Sequence, residues 1–140
     1  MIKVTADEIT LGCKAETRSE ALLLASNALI KRGLVKPDFT QALLNRENET
    51  STWIGGGVAM PHAAKKNVDT VLNTGYHFLQ FPNGVKWERG RVVFLVVVIA
   101  AKFNEHLDVL SGIAELLGDE MQASLLSNCI TTEDFISTLQ

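Results

Sequence analysis

The sequence has few of the features expected of an extracellular, disordered or nucleic-acid-binding protein. Its only two cysteines, Cys13 and Cys129, cannot form a disulfide framework, which favours reduced thiols in the cytosol. The 13 basic and 16 acidic side chains give a net charge of −3, whereas nucleic-acid-binding surfaces are usually basic. With 46% apolar residues, 140 residues suffice for one hydrophobic core. We therefore predict one cytoplasmic domain over residues 1–140 and no nucleic-acid partner.

Long hydrophobic runs are also missing. The first ten residues contain no apolar stretch of the kind found in signal peptides. The longest apolar run, residues 92–101, is about half of the ~20 residues that a membrane-spanning helix needs. Its many valines are typical of a central strand that is covered on both faces. We expect no direct membrane insertion.

Helix and strand patterns alternate along the rest of the chain. A T-x-x-E capping box at Thr17 and Glu20 predicts a helix over residues 18–32, ended by Gly33. A second helix is expected to start near Pro37. Short β-like segments follow at 52–54, 58–60, 74–81 and, after a predicted turn at 82–84, at 85–87.

The C-terminal third of the chain is expected to be helical. Asn104 is a suitable N-cap for a helix over residues 105–117, which Gly118 would end. Two short helices are predicted near Glu120–Ser127 and Thr132–Leu139. Strands interleaved with helices, with one strand buried on both faces, predict an α/β layer fold, although they do not predict the strand order.

The common catalytic and nucleotide-binding motifs are absent from the sequence. It contains no phosphate-binding G-x-x-x-x-G-K-[ST] loop, no G-x-G-x-x-G opening a helix, no H-E-x-x-H and no G-x-S-x-G. The two cysteines lack the C-x-x-C spacing of zinc or redox sites. Nucleotide binding and thiol chemistry are therefore unsupported.

The segment of residues 55–63, GGGVAMPHA, is the strongest candidate for chemistry. Glycines allow backbone amides to approach a ligand closely, so Gly56 and Gly57 are predicted to bind phosphate. Pro61 restricts the backbone just before His62, which is the candidate nucleophile. The alternative is a tight turn beside an incidental surface histidine, and these residues alone favour the two equally.

His106 is a second candidate, in the first turn of a predicted helix and on its apolar face. Helix N-termini favour bound anions, and a helix start after a buried strand is a common ligand position in α/β folds. Asn104, which lies beside this helix start, is a further candidate phosphate ligand. The alternative is a histidine bonded to a carbonyl group. If the strands bring His106 next to His62, the two imidazoles would flank one phosphate-sized space.

Two other residues could belong to a site. Arg46, just before the glycine-rich segment, has a guanidinium suited to a phosphate or to acidic groups of a partner, although a solvated arginine at a helix end is the more common case. His77, in an apolar strand between Tyr76 and Phe78, is expected to be structural.

Three segments resemble a known family. Residues 57–63, GVAMPHA, resemble the G-[IV]-A-[IVM]-P-H-[AG] signature of enzyme IIA of the mannitol/fructose class, the cytosolic phosphocarrier of the bacterial phosphoenolpyruvate-dependent sugar phosphotransferase system. The segments NRE at 45–47 with STWIG at 51–55, and NEHL at 104–107, resemble two further family segments. Their order and spacing agree over nearly the whole chain, and the mannitol branch is the most similar.

The resemblance implies a mixed β-sheet flanked by α-helices and a phosphotransferase that works without a cofactor or metal. It implies that His62 takes a phosphoryl group from the phosphorylated histidine carrier protein. That group would pass to a cysteine of enzyme IIB, which serves sugar uptake through the membrane enzyme IIC. His106 and Arg46 match the family's second histidine and its active-site arginine.

Two alternatives differ in class from a transport component. A regulatory module of the same fold, as in the nitrogen-related branch, would sense phosphate flux. A zinc site built on His62 and His106 would lack a third ligand at suitable spacing. The sequence does not indicate which sugar is transported.

Overall fold

The computed structural model describes residues 3–140. Strands and helices follow one another in this order: β1 Ile9–Thr10, α1 Arg18–Lys31, α2 Phe39–Glu49, β2 Trp53–Gly55, β3 Val58–Ala59, β4 Gly75–Lys86, β5 Val92–Ala100, α3 His106–Leu117, α4 Glu120–Ser127 and α5 Thr132–Leu139. Short 3-10 turns lie at Ala6–Glu8, Lys65–Thr70 and Phe103–Glu105. No helix within the described range is long and apolar enough to cross a membrane.

The strands form one mixed sheet in the order β1-β4-β5-β3-β2. Strand β5 is central: it pairs antiparallel with β4 and parallel with β3. The outer pairs are β1 parallel to β4 and β2 antiparallel to β3. The predicted α/β fold, with a mixed sheet flanked by helices, is therefore confirmed.

Strand β5 is covered on both faces, as its valines predict. Val96 and Val98 pack against the layer formed by α1 and α2, whereas Val97 and Ile99 pack against the layer formed by α3, α4 and α5. Alternate side chains of a strand point to opposite faces, so each helical layer receives every second residue. The segments after β3 and after β5, which carry His62 and His106, both lie at the carboxyl end of this buried strand.

The predicted start of α1 is confirmed, whereas α2 starts later than expected. The Thr17 hydroxyl accepts a hydrogen bond from the Glu20 amide at 3.1 Å, and the Glu20 carboxylate accepts one from the Glu16 amide at 2.8 Å. Helix α2 begins at Phe39 because the residues around Pro37 form a tighter turn, in which the Phe39 amide bonds to the Lys36 carbonyl.

The turn predicted at residues 82–84 is wrong. These residues belong to an irregular bulge inside the single strand β4. Gln80 pairs with Leu95 and Val85 pairs with Val93, so the four residues 81–84 lie opposite a single residue of β5. Gly84 has φ +77°, and a Cβ there would lie 2.6 Å from a Val92 methyl group. The sequence signal is therefore real but marks a bulge; the connection to β5 comes after Lys86.

The predicted N-cap at Asn104 is also wrong, although the ends of the last three helices agree with prediction. Asn104 lies inside the 3-10 turn Phe103–Glu105, and α3 begins at His106 without a side-chain cap. An N-cap needs extended backbone just before the helix, which this turn removes. Gly118 follows α3, and α4 and α5 have the predicted bounds.

Candidate functional site

His62 lies just beyond the carboxyl end of β3. Because β3 runs parallel to β5, residues after β3 continue alongside β5, and the Ile99 amide donates to the Pro61 carbonyl at 2.9 Å. An isolated bridge pairs His62 with Ile99 itself. This places the histidine at the edge of the sheet where β5 also ends.

His106 reaches the same edge because it follows β5 in the chain. It is the first residue of α3, which begins one 3-10 turn after β5. The rings of His62 and His106 meet edge to face, with centroids 5.6 Å apart and planes at 73°. The structure therefore brings together the two histidines that the sequence singled out.

The His62 ring is oriented by the backbone of its own loop. Its Nδ1 lies 2.8 Å from the Met60 carbonyl oxygen. A carbonyl can only accept, so Nδ1 carries the proton and Nε2 keeps its lone pair when the ring is neutral. The nitrogen suited to attack an electrophile is therefore Nε2.

The surroundings of His62 favour the neutral ring. Burial lowers the pKa of His62 below its usual value of 6.5, and the nearby Arg46 guanidinium and His106 ring lower it further. The Met60 carbonyl and the Glu47 carboxylate act in the opposite direction but do not reverse the shift. A lowered pKa keeps the ring unprotonated and nucleophilic at neutral pH.

His106 has hydrogen-bonding capacity that the described residues leave unused. Both of its ring nitrogens are shielded from solvent, and neither has a partner within residues 3–140. Buried polar atoms nearly always have a hydrogen-bond partner. Two ring nitrogens with no partner among these residues, next to a nucleophile, therefore indicate a place for a polar ligand. Lys65, which sequence reasoning missed, lines a small cavity of about 10 Å³ with both histidines.

Arg46 lies at the same groove as His62. The groove has a volume of about 330 Å³ and runs between β2, β3 and α3. The guanidinium is held by the backbone, since Nη1 donates to the Thr50 carbonyl at 2.6 Å. Arg46 therefore brings a positive charge to the groove from the last turn of α2.

Gly56 and Gly57 are not brought to the histidines. They form the turn between β2 and β3, with φ +59° and +77°, and the Gly57 carbonyl accepts from the Phe94 amide at 2.8 Å. That turn is at the opposite end of β3 from His62, roughly 16 Å away at the usual strand rise. The glycines serve the tight turn, so the expected phosphate-binding role is not supported by their placement.

Asn104 is near His106 in the chain but is exposed on the 3-10 turn. His77 lies on β4 opposite Val98, and its ring has other partners: its Nε2 lies 2.7 Å from the Thr10 hydroxyl, and burial, aided by the Arg32 charge, lowers its pKa to about 4. The structural role expected of His77 stays a prediction, which its burial and its bond to Thr10 support. No cluster of three or more His, Cys, Asp or Glu side chains suited to a metal occurs between residues 3 and 140.

Glu47 is a residue of this region that sequence reasoning missed. Its side chain is only 2% exposed, and its carboxylate accepts hydrogen bonds from the Thr52 amide and hydroxyl, both at 2.6 Å, and from the Trp87 indole at 3.2 Å. A charged residue in a polar helix end usually faces solvent, so the sequence gives no sign of its burial.

Comparison with known proteins agrees with this geometry. The family of EIIA 2 domains of the phosphoenolpyruvate-dependent sugar phosphotransferase system matches residues 3–140. The chain belongs to this family. It is therefore a phosphotransferase component that transfers phosphoryl groups through a phosphohistidine.

Several proteins similar to this enzyme IIA chain are of the mannitol type. It is 38% identical to the mannitol-specific EIICBA component of Klebsiella pneumoniae over 99% of the chain, which spans 22% of that relative. The crystal structure of IIA mannitol from Escherichia coli is 37% identical and superposes with a TM-score of 0.92, covering 99% of this chain and 100% of that one. A complex of IIA mannitol with phosphorylated IIB mannitol, also from E. coli, matches with 37% identity and a TM-score of 0.91 over 98% of this chain and 96% of that one.

Proposed function

We propose that His62 accepts a phosphoryl group on Nε2 from the phosphorylated histidine carrier protein and passes it to a cysteine of an enzyme IIB. The observation that carries this proposal is the His62–His106 pair: Nδ1 of His62 bonds to the Met60 carbonyl, and both ring nitrogens of the adjacent His106 have no partner among residues 3–140. The 37–38% identity to mannitol-type proteins favours transport of mannitol or a similar sugar over regulation. A cytoplasmic location remains a prediction.

In the first transfer, the His62 Nε2 lone pair attacks phosphorus in line with the donor. The bond from phosphorus to the donor's histidine nitrogen breaks as the bond to Nε2 forms, and the electron pair leaves with the donor's imidazole. Catalysis of such transfers depends mainly on positioning and charge stabilisation, because there is little further covalent chemistry for the protein to do. No cofactor or metal is required.

During this step the site stabilises two charges, one on the His62 ring and one on the phosphoryl oxygens. The His62 ring becomes more positive as Nε2 forms its bond, and the Met60 carbonyl on Nδ1 stabilises that charge. The phosphoryl oxygens stay negative, and we assign their stabilisation to Arg46, a hydrogen bond from His106 and the N-terminal end of α3. Asn104, two residues before His106, remains a candidate ligand only by its position.

In the second transfer, a cysteine thiolate of enzyme IIB attacks the phosphorus. The P–N bond to His62 breaks, a P–S bond forms, and the imidazole is released neutral. The E. coli relative in complex with phosphorylated IIB supports this acceptor. Ile54, Phe103 and Leu107 have exposed apolar side chains in the segments that carry the site, which suit contact with protein partners.

The test is phosphoryl acceptance by the purified chain from phosphorylated carrier protein, with mass mapping of the modified peptide. We expect label on the peptide containing His62, none on His62→Ala, and normal label on a Lys66→Ala control. Normal labelling of His62→Ala, or label on another residue of the wild type, would refute the proposal. Onward transfer to mannitol-type enzyme IIB distinguishes transport from a regulatory role, for which the label would stay on the chain.

A further inference from the structure

Glu47 is a buried acid for which the transfer reaction described above has no use. Its carboxylate accepts the three hydrogen bonds from Thr52 and Trp87 described above while the side chain is 2% exposed. Burial of an acid costs free energy unless the acid is well paired, so these hydrogen bonds are what offset the burial of the Glu47 carboxylate. Its neighbour in the chain is Arg46, which lines the groove.

A continuous series of hydrogen bonds connects Glu47 to the His62 ring. The Thr52 amide and hydroxyl donate to Glu47, and the Thr52 carbonyl accepts from the Met60 amide at 3.0 Å. The Met60 carbonyl in turn accepts from His62 Nδ1 at 2.8 Å. Thr52 is therefore held between Glu47 and Met60, and Met60 is held between Thr52 and His62.

The same segment also holds Arg46. The Thr50 carbonyl, two residues before Thr52, accepts from the Arg46 guanidinium at 2.6 Å. Residues 50–52 thus form a short connection whose position determines where both the arginine and the Met60 carbonyl lie. Among the described residues, Glu47 is the side chain that anchors the end of this connection with two bonds.

We propose that Glu47 is a positioning residue that acts through Thr52 and Met60 to hold the His62 ring with Nδ1 protonated and Nε2 facing the phosphoryl group. This inference rests on the proposed function of His62. The physical reason is that a neutral imidazole has two tautomers, and the Met60 carbonyl selects one of them only while it stays within hydrogen-bond distance. If residues 50–52 shifted, the Met60 carbonyl would move away from His62 Nδ1 and both tautomers could form.

A purely structural role for Glu47 makes a different prediction. If Glu47 only stabilises the fold, its loss lowers the free energy of unfolding but leaves the His62 tautomer and the transfer rate of the folded protein unchanged. If it positions His62, the folded protein itself changes. The tautomer of His62 is therefore the readout that separates the two roles.

The experiment compares Glu47→Ala and Glu47→Gln with Glu49→Gln. Glu49 lies two residues further along α2 and is exposed, so it serves as the matched control. Long-range ¹H–¹⁵N NMR of the imidazole, at a pH where the ring is neutral, reports the tautomer. Single-turnover mixing with phosphorylated carrier protein reports the rate of acceptance by the folded fraction.

We expect Glu47→Ala to show both tautomers of His62 and acceptance slowed by about tenfold to a hundredfold, the usual penalty for a displaced reacting group. Glu47→Gln keeps an acceptor oxygen and should recover most of the rate. Glu49→Gln should match the wild type in both readouts. Glu47→Ala with the wild-type tautomer and the Glu49→Gln rate would overturn the proposal, however unstable the variant is.

Two further outcomes are covered by the design. If Glu47→Ala does not fold, Thr52→Val removes one of the two bonds to Glu47; a partial tautomer change supports the proposal and none overturns it. If the wild type is not phosphorylated at all, the proposed function fails, while the tautomer comparison still judges the positioning role of Glu47.

Discussion

The imidazole rings of His62 and His106 lie edge to face with their centroids 5.6 Å apart. The parallel pairing of β3 with β5 explains this contact, because parallel neighbours end at the same edge of the sheet. His62 follows β3 directly, and His106 starts the helix that follows β5. Ligand sites in α/β folds commonly lie at this edge, and here it supplies two rings for one phosphoryl group.

His106 is expected to act on the transferred group. His106→Ala should fold, since the residue is only the first of α3, but should pass the phosphoryl group to enzyme IIB about a hundredfold more slowly, as on loss of one donor to a transition-state oxygen. Rapid-quench kinetics with labelled protein measure the rate. Transfer as fast as in the wild type would contradict this role.

The phosphoryl group should be attached to Nε2 of His62. The Met60 carbonyl occupies Nδ1, so only Nε2 has a free lone pair in the neutral ring. Phosphorus–nitrogen couplings in ¹⁵N-labelled protein identify the bonded nitrogen. Detection of the Nδ1 isomer as the main product would show that the Met60 contact does not orient the ring in solution.

Phosphoryl acceptance should decline in acid at a lower pH than the titration of an ordinary histidine would give. Burial lowers the pKa of His62 from 6.5, so the neutral, nucleophilic form persists to lower pH. NMR titration of His62 should give a midpoint below 6.5, and the rate of acceptance should fall through the same midpoint. Arg46→Ala, which removes a nearby positive charge, should raise that midpoint. A wild-type midpoint above 6.5 would contradict the prediction.

His77 should make the fold less stable in acid. Its pKa is about 4 in the folded chain against 6.5 for an ordinary histidine, so the unfolded chain binds more protons between these values. Stability therefore decreases as pH falls from 6.5 to 4, by roughly 2 kcal/mol between pH 7 and pH 4.5 from this residue. Urea unfolding of wild type and His77→Gln at both pH values measures it. An equal loss in the two proteins would exclude His77 as the source.

Local patterns predicted the helices well because their ends depend on near neighbours. Thr17 caps α1, and the bounds of α4 and α5 agree with prediction. The same local reasoning was wrong at Asn104 and at residues 82–84, where a 3-10 turn and a bulge satisfy the sequence signals in another way. At residues 82–84 the pairing of β4 with β5 decides which alternative forms.

The candidate site was only partly predictable for the same reason. The two histidines and Arg46 carry recognisable chemistry, and all three lie at one edge of the sheet. The role of Gly56 and Gly57 is not decided by local sequence because a glycine pair suits both a ligand loop and a tight turn, and their placement in the turn between β2 and β3 does not support phosphate binding. Glu47 escaped notice because burial of a charged helix residue depends on partners from β2 and from Trp87, which are distant in sequence.

Local sequence patterns are enough to give the class of fold, the starts of α1, α4 and α5 and the residue types able to carry a phosphoryl group, since these follow from short-range periodicity, capping and side-chain chemistry. Which of those residues come into contact depends on the three-dimensional fold. The pairing of β3 beside β5 places His62 against His106, and the bonds from Glu47 through Thr52 and Met60 orient the reactive ring. Those contacts join segments far apart in the chain, so no local pattern encodes them.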